Sequence, residues 1–276
     1  MSGTRFARLG TVAGNVKRFR RSRDFVGWMA ILVELAIVLP PVALYFNGRQ
    51  ARARQRQYQA WQVIGDAQGH GWSSVVVVAL EDLNEGGFTL RAVNLSNAPV
   101  GALNLPNADL KHARMVRADL PGSDLHGARM ARTDLRGVNL EGANLRDAEF
   151  AFANAGGARF DDAALCGALL IGADLRRASF RGARLRDVRF DGADLRGAVF
   201  DLDSIPAGSS FRDANITGLR APDSFVEQAR TAGARAYAQA SWNAYRESHE
   251  LDLRKRWVEQ DLPRSRRGRD RRRDCR

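Results

Sequence analysis

Glu141, Asp161 and Asp162 are carboxylates whose spacing could serve chemistry. Held together, paired carboxylates do acid–base work or bind a cation. Arg159 and Arg181 stand equally near, so a solvated ladder of opposite charges accounts for the same residues. Cys166 has Arg146 and Arg186 twenty residues to either side, and guanidinium groups beside a thiol lower its pKa. His70, His112, His126 and His249 fall in unrelated contexts and at no metal-ligand spacing. No glycine-rich phosphate loop occurs. Cys166 and Cys275, the only cysteines, are read as making neither a disulfide framework nor a metal site. The expectation is a chain without catalytic activity, cofactor or metal.

What these side chains meet depends on the elements beneath them. From Leu90 to Phe200 every fifth residue is apolar, 23 in succession. Two residues before each stands a second, mostly small residue, unbroken as Ala from Ala143 to Ala183. Side chains two apart share one face of an extended chain, so each five-residue unit sends one small and one large group inward. Polar residues such as Asp109, Asn139 and Asp174 fall between them, Arg or Lys often follows the large group, and Gly often comes next, as at Gly127 and Gly182. Gly at that place permits turn conformations that other residues resist. A helix is excluded, because a period of five never returns to one face of a 3.6-residue turn. Short strands with a corner every five residues must coil, and the coils stack through backbone hydrogen bonds.

The units Ala108-Asp109-Leu110-Lys111-His112 and Ala193-Asp194-Leu195-Arg196-Gly197 resemble the pentapeptide-repeat family, and the likeness covers about residues 86–218. It implies a mainly β fold: a right-handed quadrilateral parallel β-helix with four pentapeptides per coil, here almost six coils. A 20-residue coil places Asp161 directly over Glu141, and predicts that Phe160, Phe180 and Phe200 stack. Ala155 is the odd large position, and Phe150 or Phe152 is expected to cover the slack. The register breaks at Asp201–Pro206 and resumes shifted at Phe211 and Ile216, which reads as a loop before a last partial coil.

The net charge of +12 is uneven. Residues 1–60 carry 11 basic and 2 acidic side chains, whereas residues 86–218 carry 17 and 16. Residues 1–24 form a basic segment. Residues 25–46, with Glu34 as their one charge and Trp28 and Tyr45 near the ends, are long enough to cross a bilayer once. Glu34 and Pro40-Pro41 weaken a spanning helix, which leaves an interfacial or kinked helix as the other reading. Seven basic residues precede the span and four follow it, a weak bias toward an inside N-terminus, but the four Arg just after the span also resist translocation, so its orientation stays open. Residues 47–85 read as a helical linker, with Ser73 or Ser74 capping a helix through Leu83 that covers the first coil. Its stretches Tyr58–Ile64 and Ala79–Asn84 resemble the linker of membrane-anchored bacterial pentapeptide-repeat proteins. Residues 219–260 read as a C-terminal helical cap: one helix capped by Asp223 and carrying Phe225 to Tyr245, then a second from about Leu251 to Val258. Residues 261–276, Arg-rich from Arg264 on, read as a disordered tail.

Together these features predict a membrane-anchored scaffold that binds an unknown protein partner through flat faces. The candidate face is Arg114, Arg117, Arg136, Arg176, Arg177 and Arg196, beside an acidic column of Asp119, Glu141, Asp161, Asp162 and Asp201. The membrane would be engaged through residues 25–46 and anionic lipid through the tail, with homodimerisation through the Ala-rich helical stripe as a further contact. Nucleic acid is disfavoured as a partner. The resemblance also implies an alternative, a DNA-mimicking binder of topoisomerase (gyrase) of the quinolone-resistance type. That role needs an acidic rod, and residues 86–218 carry one net positive charge.

Overall fold

The computed structural model describes residues 55, 57–67, 74–260 and 275. Two units are distinguished, Met1–Gln59 and Ala60–Arg276. In the first, the described residues are helical. The span expected over residues 25–46 lies outside the described residues. Among those, no helix is long and apolar enough to cross a membrane.

In the second unit the five-residue period becomes a four-sided coil. Each outward residue before a large apolar centre pairs in parallel with the residue twenty further on, from Asn94 with Arg114 to Ser179 with Val199. Backbone hydrogen bonds run between coils in both directions, as from Leu120 N–H to the Asn139 carbonyl and from Asp119 N–H to the Ala98 carbonyl, each 2.8 Å. The two inward positions of each unit line one continuous core. At every corner the residue two past the centre takes a left-handed conformation, whether it is Gly182 (φ +63°) or Arg177 (φ +58°). The fold therefore requires positive φ at these corners even from residues with a Cβ.

The aromatic column forms as expected. Phe160 and Phe180 stack at 5.0 Å between centroids, and Phe180 and Phe200 at 4.8 Å. A second column, Phe190 on Phe211 at 4.8 Å, meets the first edge to face. Ala155 is buried, but Phe152 does not cover it. Phe152 occupies a corner at φ +57° and lays its ring outside the coil against Gly172.

Both ends are closed by helices. Helix α1, Ser74–Glu85, buries Val76, Ala79, Leu80 and Leu83 in the core beside Ile64 and Ala67 from the helical residues 60–67. An open first coil leaves N–H groups that a preceding coil would satisfy. The Glu81 carboxylate accepts from the Asn104 N–H at 2.9 Å, and the Asn84 amide donates to the Pro106 carbonyl at 3.0 Å. At the far end the 201–207 loop adds one residue, so Arg189 pairs with Ser210, twenty-one residues on. Helix α2, Asp223–Thr231, then inserts Phe225 onto Phe200 at 5.1 Å, as a further rung of the aromatic stack. Its N-cap is Pro222 without a side-chain bond, so Asp223 opens the first turn and does not cap it.

The helix expected to run on to Tyr245 stops at Thr231. Residues 232–238 return to the coil edge: Asp213 N–H donates to the Gly233 carbonyl, and Arg235 pairs with Asn215. Pairing the exposed last edge outweighs continuing the helix. Helix α3 begins at Gln239, not Leu251, and runs to Gln260.

Candidate functional site

The column model puts each outward residue in a vertical row, and the rows decide which charges are available. In one row pair, Asp134–Arg136, Asp174–Arg176 and Asp194–Arg196 each make a two-pronged bond within their own unit, with N···O distances of 2.6–2.8 Å. Half of the candidate basic face is thus paired to its own carboxylates. The bond to Arg136 holds the Asp134 carboxyl below the ordinary carboxylate range, although partial burial opposes this, and the same bond raises Arg136 further. Arg176 is raised by Asp174 in the same way. Arg114, Arg117 and Arg177 project into solvent.

Because the folded-state pKa of Asp134 is depressed, its pair stabilises the fold above the unfolded value and loses that contribution as pH falls through the folded one. The Asp134 carboxyl is expected to titrate below the ordinary Asp value in a ¹³C NMR series, and Arg136→Ala should move it back up.

The acidic column is likewise knitted together. Arg159 bonds Glu141 at 2.5 Å and faces Asp161 at 3.7 Å. Asp161 also accepts from the Ser179 hydroxyl and from the Arg181 N–H at 2.9 Å. Asn139 donates to Asp119 at 2.6 Å, and Asp201 accepts from the Gly182 N–H at 3.0 Å. Glu141 and Asp161 do meet across one coil, with a guanidinium between them. No group of three or more His, Cys, Asp or Glu that could hold a metal occurs among the described residues.

Helix α3 does not stay at the end of the solenoid; it lies along its side. Trp242 is buried and its indole N–H donates to Asp194 at 3.0 Å, while Gln239 bonds Arg196. Arg196, a candidate face residue, therefore holds the start of α3. Further along, Leu253 meets the corner at Gly192, where an added Cβ would lie 2.5 Å from the leucine methyl. Beside that row Ala131, Ala151 and Ile171 are fully buried although they stand at outward positions. Other rows place Arg136, Arg176 or Arg186 there. Three apolar residues spaced by twenty at outward places were the available sign of a covered face, and the inward periodicity hides it. A cleft of about 450 Å³ opens beside α3, lined by Arg132, Phe152, Asn243, Arg246 and Glu250 among others. Its Glu250 bonds Arg254, and Arg246 reaches the Gly172 carbonyl at 3.5 Å.

The reading of the cysteines is corrected. Cys166 and Cys275 form a disulfide, 109 residues apart in sequence with Cα atoms 6.2 Å apart, so Cys166 has no thiol whose pKa Arg146 could lower. Arg146 does stand beside it, as its row requires, but donates to the Cys275 carbonyl at 2.7 Å. The second donor is Arg184, at 3.0 Å, two residues before the expected Arg186. The rest of the segment 261–276, expected to be disordered, lies outside the described residues.

The model of the family described as pentapeptide repeats matches in eight copies over residues 89–127, 104–142, 123–162 and 158–197. Among solved structures, the chain is similar to a trypsin-treated form of QnrB1, a plasmid-mediated fluoroquinolone resistance protein: 18% identity, TM-score 0.34, over 48% of this chain and 91% of that one. It is also similar to a pentapeptide repeat protein of the Arabidopsis thaliana thylakoid lumen, with 24% identity, TM-score 0.19, and 43% and 71% of the two chains covered. A third is HetL of Nostoc sp. strain PCC 7120, involved in heterocyst differentiation regulation, with 22% identity, TM-score 0.16, and 49% and 90% covered. No sequence among curated proteins matches the chain. The stacked four-sided coils are those of a quadrilateral parallel β-helix, and residues 89–197 of the chain match the pentapeptide-repeat family.

Proposed function

We propose that this chain is a membrane-tethered, non-catalytic binding scaffold. The observation that carries the reading is the unbroken pairing, from Asn94 to Val199, of the residue before each large apolar centre with the one twenty further on, which fixes rows of side chains on flat walls. Such walls recognise a partner by the pattern of charge and shape they hold out, at little ordering cost on binding. The available pattern is narrower than the full set of arginines. Arg114, Arg117 and Arg177 offer exposed cations beside a row in which Asp134 and Asp174 are already paired, and α3 occupies the end at Arg196. The partner is a protein whose surface complements these alternating charges.

The tether is the apolar stretch 25–46 with basic flanks. Fluoroquinolone resistance, named for the QnrB1 structure, is not favoured for this chain, because its solenoid is nearly neutral and Glu141 and Asp161 of its acidic column face the Arg159 guanidinium. Fractionation tests the tether: full-length protein is expected in membranes and a chain lacking residues 1–48 in the soluble fraction. Full-length protein that stays soluble, or a truncated chain that stays in membranes, would sink it.

A further inference from the structure

We infer that the Cys166–Cys275 bond is a clip formed by oxidation, and that it assigns the solenoid to the non-cytoplasmic side of the membrane. The pairing is a built one. Cys275 is 3% exposed although it belongs to an Arg-rich tail. Its sulfur is bonded to Cys166 and its carbonyl accepts from Arg146 and Arg184, so residues of three different coils converge on one tail residue. Charge-assisted bonds of 2.7 and 3.0 Å on the same carbonyl hold the sulfur where it can react.

The chemistry is a two-electron oxidation. Two thiols release two protons, an S–S bond forms, and the two electrons pass to a disulfide oxidant that leaves as a dithiol. The cytosolic thiol pool drives this exchange backwards, whereas secretory, periplasmic and extracellular spaces sustain it. Sidedness follows only if residues 25–46 anchor the chain, so that part rests on the function proposed above; the pairing does not. With one span, a solenoid outside puts the N-terminus inside. The seven basic residues before the span and four after it favour the same orientation.

The test uses the full chain with an epitope added after Arg276, made in cells and quenched with N-ethylmaleimide. Intact mass before and after reduction counts the thiols, and protease added to sealed right-side-out membranes reports the side. The expected result is no alkylated cysteine before reduction and two after it, one alkylated cysteine in Cys275→Ser, and loss of the epitope to external protease. Two alkylated cysteines without reduction would overturn the clip. An oxidised pair whose epitope survives until the membrane is opened would overturn the sidedness. An oxidised pair in soluble protein would overturn the anchor and the sidedness with it, while supporting the clip, so the two failures are told apart.

Discussion

Breaking the Cys166–Cys275 bond, by reduction or by Cys166→Ser, is expected to destabilise the folded protein by about 2–5 kcal/mol. The bond joins residues 109 apart, and closing a loop of about 100 residues removes enough unfolded-chain entropy to reach about 4.7 kcal/mol in the simplest treatment. Serine is nearly isosteric with cysteine, so the variant removes the link and leaves the packing. Denaturant unfolding with and without reductant measures it. Wild type should fall to the level of Cys166→Ser when reduced, and the variant should not respond to reductant at all. Because every other coil keeps its ladder, the loss should appear without change in far-ultraviolet circular dichroism below the transition.

Phe180→Ala is expected to lower stability by about 3–5 kcal/mol, the range for deleting a buried phenylalanine, and to reduce Tm by about 10 °C. Phe180 is fully buried and touches three rings: Phe160 and Phe200 face to face, and Phe190 edge on. Each stacked pair adds to the area buried. The coil walls are tied together by backbone bonds and resist collapse into the gap, so the cavity term is retained. Phe152→Ala is the matched control. It removes the same side chain from a corner outside the coil, and about 1 kcal/mol or less is expected. Thermal unfolding of the pair separates inward from outward phenylalanine by a factor of about three or more.

Those two predictions mark where the fold was legible in the sequence and where it was not. The inward rows follow from spacing alone, since a side chain two along a strand returns to the same face, and the stack of Phe160, Phe180 and Phe200 follows from the 20-residue coil. The pairing of Glu141 with Arg159 was equally local to adjacent coils. What spacing could not supply was the second layer. Whether α3 lies on the wall holding Ala131, Ala151 and Ile171 depends on contacts such as Trp242 with Asp194, 48 residues apart, for which the repeat carries no rule. Cys275 was harder still, because its own neighbours in sequence are charged and its partner is over a hundred residues away. The break of the C-terminal helix at Thr231 is not legible in the sequence because alanines suit a helix, while the competing demand comes from groups on the coil edge at Ala214 and Ile216 that Arg235 pairs.

A four-sided coil whose walls are tied to a distant strap and clip makes the length of the chain a matter of phase. Removing twenty residues from the middle shortens the rod by one storey and leaves every wall facing as before. Removing five turns everything beyond the cut by a quarter revolution. Cut between Cys166 and the wall at Gly192, the chain would keep its core, since inward positions still fall inward, yet present Asp194 and Gly192 to α3 around the corner from Ala151 and Cys166. Insertions in this protein are therefore graded by their remainder on division by twenty, and the single extra residue before Ser210 is tolerated because it is spent inside a loop before the next wall begins.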